Sequence, residues 1–485
     1  MSDSVLADRS YGVYIDGAWQ EPEGGRYADI RPGNGETVAM APDASTGQVD
    51  AAIGAARRAF DDGGWSGLDP KERAEHVQQL ANALLGAGDD LLALAKHEWG
   101  CTENERLFQI DAPAIMALRN AELAAEPVES AIPAWGAAGT TLLRYEPLGV
   151  VSVLTPWNFP HTLNAMKVGN ALAAGNTVVL KPSPLTPLSA LALATIIDEQ
   201  TDIPAGVVNV VTPSSLEGSE LLTTDPRVDM VSFTGSSAVG RSVMAAAART
   251  MKRVLLELGG KSASIILDDA DLDDETMARL LFEGCTLHAG QACILNSRLV
   301  VPASRHDDIV ARLVSLAEKV TVGDPVAGDV DMGPLISADH LERVSTMVDK
   351  AVSDGATVAT GGHRVDAGAG HFYAPTIVTG VRSSDHIAQE EVFGPVLTVL
   401  SYESDDEAVA IANDSQYGLG GAVWGTDTDR ALAIARRMRT GQVSINGTTP
   451  GDAPFGGFGQ SGIGREGGEM GLRTYMEPKA IGSPA

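Results

Sequence analysis

Val150-Val151-Ser152-Val153-Leu154-Thr155-Pro156-Trp157-Asn158 is a short β-branched apolar run that ends in a proline, a tryptophan and an amide. Short runs of this kind at 177–180, 207–211, 230–233 and 253–256 follow it, each separated from the last by a helix-like stretch. Strand, helix, strand in that rhythm predicts a parallel sheet covered on both faces. Functional groups of such sheets gather in the crevice at the carboxyl ends of the strands. Here those ends read Thr155-Pro156-Trp157-Asn158, Lys181-Pro182-Ser183-Pro184, Phe233-Thr234-Gly235-Ser236 and Glu257-Leu258-Gly259-Gly260, so four polar or glycine-rich loops converge on one edge.

Downstream a second alternating region begins at 263–267, runs through a helix-like 272–288 and reaches Gly290-Gln291-Ala292-Cys293. Further strands are expected at 298–301, 396–400, 421–424 and 442–445, with helices at 304–319 and 427–438, making a second α/β layer with its own core. Upstream, Asp16-Gly17 predicts a hairpin turn. Helical spacing follows at 49–60 and 70–98, the latter broken by Gly86-Ala87-Gly88. The chain turns glycine-rich from Phe455 onward, and no internal repeat or low-complexity tract is visible.

A chain of 485 residues, 44% hydrophobic and 20% charged, has the composition of a globular protein of two to four domains. Its net charge of -29, from 35 Lys and Arg against 64 Asp and Glu, repels nucleic-acid phosphates and anionic lipid, so neither is expected as a partner. Three cysteines, Cys101, Cys285 and Cys293, give an odd count without a paired framework, which suits a reducing compartment and predicts a cytoplasmic address. Residues 1–10 lack the basic and apolar regions of a secretory signal. No stretch approaches the ~18 apolar residues of a membrane span, and 185–197 carries Pro187, so a soluble protein is expected.

Taken alone, Cys293 would read as a small buried hydrophobe. Glu257, which follows an apolar strand and precedes two glycines, would read as salt-bridged or capping, and Asn158 as an Asx turn. Together they read differently: a thiol, a carboxylate and an amide supply a nucleophile, a base and an oxyanion donor. A thiol of ordinary acidity, with a pKa of about 8.5, is a few per cent thiolate at neutral pH, so Cys293 is expected to need little activation. A metal reading would join Cys285, His288 and Cys293, but the spacing fits no zinc pattern and a fourth ligand is missing; no metal is expected.

Gly235-Ser236-Ser237-Ala238-Val239-Gly240-Arg241-Ser242 follows a strand and nearly spells a triphosphate-binding loop, except that Arg241 stands where a lysine is needed. What survives is more general: free amides at a helix N-terminus and serine hydroxyls can bind a pyrophosphate. No GxGxxG follows any strand.

Five separated motifs, in order, carry a resemblance. They are Pro156-Trp157-Asn158-Phe159-Pro160, Lys181-Pro182-Ser183, Phe233-Thr234-Gly235-Ser236, Glu257-Leu258-Gly259-Gly260 with Gly290-Gln291-Ala292-Cys293, and Glu390-Glu391-Val392-Phe393-Gly394-Pro395; Pro454-Phe455-Gly456-Gly457 also fits. Over nearly its full length the chain resembles the aldehyde dehydrogenase superfamily, of the hydrolytic, non-acylating type. The resemblance implies a Rossmann-like parallel-sheet cofactor domain over 1–128 and 148–258, an α/β catalytic domain over 259–458, and a small β oligomerisation arm built from 129–147 and 459–485. It also implies a homodimer or homotetramer, with an extension near Gly136 to Tyr145 crossing between subunits.

The same resemblance implies the roles. Cys293 attacks the aldehyde, Asn158 and the Cys293 backbone N–H hold the oxyanion, Glu257 activates water against the thioester, and Lys167 stands near the proton path. The cofactor cleft would be lined by Thr155, Pro156, Trp157, Lys181, Ser183, Pro184, Gly235, Ser236, Val239, Leu258, Gly259, Glu391 and Phe393. Of these, Lys181 would meet the adenosine ribose, Ser236 the pyrophosphate and Glu391 the nicotinamide ribose. NAD is the expected cofactor, with NADP left open because Pro184 occupies the place where many NAD-preferring relatives carry a glutamate. His288 also departs from the family, whose members often have asparagine there. Leu163, Met166, Ile294, Phe455 and the loop 448–452, with Thr449, would form the substrate pocket. None is basic, so a neutral, hydrophobic aliphatic or aromatic aldehyde is expected. Intact Glu257 argues against a CoA-acylating variant, and the intact trio against a catalytically silent relative.

Overall fold

The computed structural model describes residues 9–133 and 139–483. The five expected strands form the parallel centre of an eight-stranded sheet, in the order Arg253–Glu257, Met230–Thr234, Val150–Leu154, Thr177–Lys181, Val208–Val210. Antiparallel pieces close its edges: Gly462–Ile463 beside Arg253–Glu257, and the hairpin Val13–Ile15 and Ala18–Gln20 beside Val208–Val210. The hairpin turns at Asp16 and Gly17, both at positive φ (55° and 72°), as a two-residue turn matching the strand twist requires.

Alternate residues of each strand serve opposite faces. Val151, Val153, Val178 and Leu180 enter one core with the helices Pro70–Gly86, Ala112–Ala124 and Leu188–Gln200, whereas Val150, Leu154, Val179 and Val231 enter another with Thr46–Asp61. A sheet so covered must be apolar on both sides, which is why these strands are continuous β-branched runs. Register then places the site. Leu154 pairs with Lys181 and Phe233, and Thr234 with Glu257, so the four loops leave the sheet at one level.

A seven-stranded sheet forms the second layer, in the order Thr357–Thr360, Thr376–Thr379, Val396–Tyr402, Arg298–Pro302, Ala263–Ile266, Gly421–Trp424, Ser444–Ile445. All its pairs are parallel except the first. A third sheet joins Glu129–Pro133, Thr140–Pro147 and Met476–Ser483 in antiparallel fashion. Thr140–Pro147 carries the strand expected at the arm, while Gly136 and residues 1–8 lie outside the described residues. No described helix is long and apolar enough to cross a membrane.

The helix expected over 272–288 is shorter. Asp274–Leu281 is α-helical, Phe282–Thr286 is a π turn, and His288, Ala289 and Gly290 then adopt left-handed backbone (φ 50°, 50° and 76°). Helical spacing continues through this stretch, but tertiary contacts around Gly290 override it. A Cβ on Gly290 would lie 2.0 Å from Gly394 O, so the chain must turn there against another motif. The helix Ala112–Ala124, in a stretch that sequence analysis leaves unassigned, packs over the helix Pro160–Ala173 that follows Asn158.

Candidate active site

Three glycine-bearing motifs interlock around Cys293. A Cβ on Gly260 would lie 2.3 Å from Cys293 O, one on Gly259 2.4 Å from Glu391 Oε2, and Gly260 N donates to Glu391 Oε1 at 2.8 Å. Small residues are thus required where the carboxylate loop, the thiol loop and the Glu391 loop meet. Cys101 and Cys285 are wholly buried, whereas Cys293 alone of the three keeps contact with solvent.

That thiol is not of ordinary acidity. Burial first, and then the charges of Glu391 and Glu257, push its pKa up to about 12. The expectation that Cys293 needs little activation is therefore corrected. It is held as a thiol, because burial disfavours the thiolate and Glu391 and Glu257 add to that effect.

Asn158 is buried, and its Nδ2 donates to Gln291 O at 2.9 Å, two residues before the nucleophile. Its side chain reaches across to the thiol loop rather than folding back as an Asx turn. Gln291 is itself fixed, with Nε2 on His288 O (2.9 Å) and Oε1 accepting from Ile336 N (2.9 Å). An amide donor held beside a nucleophile by buried bonds is preorganised for an oxyanion.

Glu257 is buried with neither carboxylate oxygen hydrogen-bonded to any described residue. It is neither salt-bridged nor capping. Burial, reinforced by Glu466 and opposed by Lys167 and Arg465, raises its pKa well above the usual carboxylate range. Lys167 and Glu466 form an ion pair at 2.8 Å with both side chains fully buried. Lys167 Nζ also donates to Ser232 Oγ (3.1 Å), and Tyr475 OH lies 2.9 Å from Ser232 Oγ and 3.3 Å from Glu466 Oε1. Lys167 thus belongs to a buried polar chain next to Glu257. Its members Glu466, Ser232 and Tyr475 escaped sequence analysis, which had no local signal for them because Lys167 and Glu466 are 299 residues apart.

The cleft residues gather on the edge that the sheet register defines. Thr155 Oγ1 donates to Asn164 (2.6 Å), and Lys181 Nζ donates to Pro182 O (2.9 Å), with burial lowering the lysine's pKa to about 8. Pro156 and Ser183 are half-buried, Leu258 is buried and Pro184 is exposed. Ser236 caps the helix Ser237–Ala247 by accepting from Val239 N, and both Ser236 and Val239 are exposed. Gly235 sits against the Phe233 ring, where a Cβ would come within 2.4 Å. Trp157 and Phe393 pack edge to face with centroids 5.4 Å apart. Thr234 Oγ1 is buried without a described partner, and burial raises Glu391 to about 7. A helix N-terminus, a lysine, a carboxylate and an unpartnered hydroxyl along one apolar-walled cleft match the donor and acceptor pattern of a dinucleotide.

Among the pocket residues, Met166 is buried and Leu163, Ile294 and Phe455 are half-buried, while Thr449 lies on the exposed loop 448–452. Asp452 at the end of that loop pairs with Arg119 at 2.7 Å. Cys285 faces Thr376 O at 4.0 Å and His288 faces Glu105, so these two do not join Cys293 as a ligand set. No group of three or more His, Cys, Asp or Glu among the described residues could hold a metal ion.

Residues 19–481 match the model of the aldehyde dehydrogenase family. The chain is 40% identical to geranial dehydrogenase of Castellaniella defragrans, across 97% of this chain and 98% of that one. It is 39% identical to betaine aldehyde dehydrogenase of Bacillus subtilis, across 97% of each. Among solved structures, betaine aldehyde dehydrogenase from Staphylococcus aureus in complex with NAD+ superposes with a TM-score of 0.95 at 36% identity, covering 99% of this chain and 95% of that one.

Proposed function

This chain belongs to the aldehyde dehydrogenase family and has its fold, and on that premise we propose that it oxidises a neutral, hydrophobic aldehyde to the carboxylic acid, with NAD+ and water as co-reactants. The observation that carries this reading is the single solvent-touching thiol, Cys293, flanked by a buried amide donor and by a buried carboxylate without hydrogen-bond partners.

Lys181, the Ser236 helix start and Glu391 would hold NAD+, which when bound would supply the hydride acceptor. Cys293 Sγ attacks the carbonyl carbon. Passing the thiol proton to Glu257 leaves the sulfur's charge beside a neutral acid, which offsets the repulsion that raises the thiol's pKa. Asn158 Nδ2 and the Cys293 backbone N–H donate to the oxygen as it gains charge. Once the carbonyl carbon has lost its hydrogen with the bonding pair, Cys293 carries an acyl group as a thioester. Glu257 then takes a proton from water, the hydroxyl adds to the acyl carbon, and the C–S bond breaks to release the acid and restore the thiol. Before the water step Glu257 sheds the thiol proton to solvent; Lys167, held by Glu466, stands near that path, and its charge favours the ionised carboxylate.

The hydrophobic substrate class rests on Leu163, Met166, Ile294 and Phe455, and on the pairing of Arg119 with Asp452, which leaves that arginine no free charge for an acid group. The preference for NAD over NADP is part of this proposal, as are the domain limits, the cytoplasmic address and a homodimer or homotetramer formed through the sheet of Thr140–Pro147 and Met476–Ser483. Light scattering on eluting protein reads the last. The main test is NADH formation at 340 nm with NAD+ and NADP+ over hexanal, benzaldehyde, geranial, betaine aldehyde and succinic semialdehyde. Preference for hexanal, benzaldehyde or geranial supports the reading, and preference for either charged aldehyde overturns it. Cys293→Ala must abolish turnover throughout.

A further inference from the structure

Beside the thiol loop lies a buried carboxylate–imidazole contact, Glu105 with His288, that the proposed reaction does not use. Glu105, at 1% exposure, accepts from His288 N at 3.1 Å, and its other oxygen lies 3.4 Å from His288 Nδ1. Thr102 Oγ1 donates to the same carboxylate at 3.1 Å and Gln109 Nε2 at 3.3 Å. Four groups thus converge on two oxygens, about the full acceptor capacity of a carboxylate.

These four contacts link both halves of the reaction centre. Gln109 Nε2 also donates to Asn158 O at 3.4 Å, and the His288 ring packs edge to face on Phe159, the neighbour of Asn158, at 5.5 Å. On the other side, His288 O accepts from both the backbone and the side chain of Gln291, the residue on whose carbonyl the Asn158 amide rests. The loop is strained at this point. His288 and Ala289 are both left-handed without being glycine, and such backbone persists only where its surroundings hold it.

Resting on the aldehyde dehydrogenase reading, we propose that Glu105 and His288 are positioning residues that hold the left-handed turn before Cys293 and, through Gln109 and Phe159, set the thiol and the Asn158 amide at a fixed separation. The carboxylate anchors and the imidazole is anchored; neither touches substrate. Without the anchor the turn relaxes toward right-handed backbone, and Sγ leaves the attack geometry while Lys181 and the Ser236 helix start, on loops of the first sheet, keep their places.

The test uses the full-length enzyme with Glu105→Ala, Glu105→Gln, His288→Ala and His288→Asn. Three quantities are read: the rate of the first-turnover NADH burst, the rate of Cys293 alkylation by iodoacetamide located by mass spectrometry, and the KM for NAD+. Both alanine variants are expected to slow the burst roughly 10–100-fold, the scale of a small misplacement of reacting groups, and to change the alkylation rate with KM for NAD+ held within about twofold. Glu105→Gln, which keeps one acceptor oxygen, is expected to fall between Glu105→Ala and the parent. His288→Asn, which tolerates left-handed backbone but lacks the ring, should fold and still burst slowly. Burst and alkylation rates within about twofold of the parent in folded variants would overturn the proposal. If the alanine variants do not fold, the same criterion applies to Glu105→Gln and His288→Asn. A parent enzyme that forms no NADH with any aldehyde would instead sink the dehydrogenase reading, and the alkylation rates would still report on the turn.

Discussion

Two buried glutamates stand on either side of the reaction centre and are treated in opposite ways. Glu105 has its oxygens met by three hydrogen-bond donors and the His288 ring, whereas Glu257, whose charge acts on the thiol, has no hydrogen-bond partner among the described residues. Hydrogen bonds to a charged carboxylate stabilise that charge and fix its place, while burial without them favours the protonated form. A filled carboxylate can therefore serve as an anchor and an empty one as a proton carrier. Their surroundings, not their residue type, assign the work.

The sharpest way to break this contrast is Glu257→Gln, which removes the proton carrier and keeps its shape. Steady-state turnover is expected to fall by roughly 10²–10⁴-fold and the first-turnover NADH burst to slow with it, because Glu257 takes both the thiol proton and the water proton, as rapid-mixing absorbance would show. An unchanged burst would confine Glu257 to the water step. Next comes Lys167→Met. It leaves Glu466 as a lone buried charge, and denaturant unfolding should register a loss of about 3–5 kcal/mol, the usual result of removing one partner of a buried pair.

A thiol raised to about 12 should alkylate ever faster with pH in the cofactor-free enzyme. Below its pKa the thiolate fraction grows tenfold per unit, so the iodoacetamide rate should climb roughly 100-fold from pH 7 to pH 9 without a plateau. A plateau near pH 8 would mean that neither burial nor the two carboxylates raises the thiol. The smallest expected effect is on stability. Because the folded-state pKa of Glu257 lies above its unfolded value, its contribution is fully present in acid and is lost as pH rises through the folded pKa. Glu257→Gln should therefore raise the melting temperature by a few degrees at pH 8 and by less at pH 5, as calorimetry at the two values would show.

The frame around this contrast, though not Glu105, was legible in the sequence. Strands buried on both faces must be apolar at every position, so the five runs from Val150 to Leu256 announced the parallel sheet, and their carboxyl ends announced the crevice. Cys293, Glu257 and Asn158 stood in recognisable motifs, and the glycines beside the first two have a physical reason in the close approaches of Gly259, Gly260 and Gly290. The helix expected through 272–288 failed because periodicity registers which side faces the core and not the π turn or the reversal at His288.

Sequence by itself determined the layer order, the edge on which the chemistry gathers and the chemical types that meet there, because apolar periodicity and loop composition are local properties of the chain. Tertiary structure alone decided the states of those groups: that Cys293 is held as a thiol, that Glu257 has no hydrogen-bond partner, and that Lys167 meets Glu466 and His288 meets Glu105. Acidity and pairing depend on burial and on charges brought close from 183 and 299 residues away, and a linear pattern holds no record of such distances.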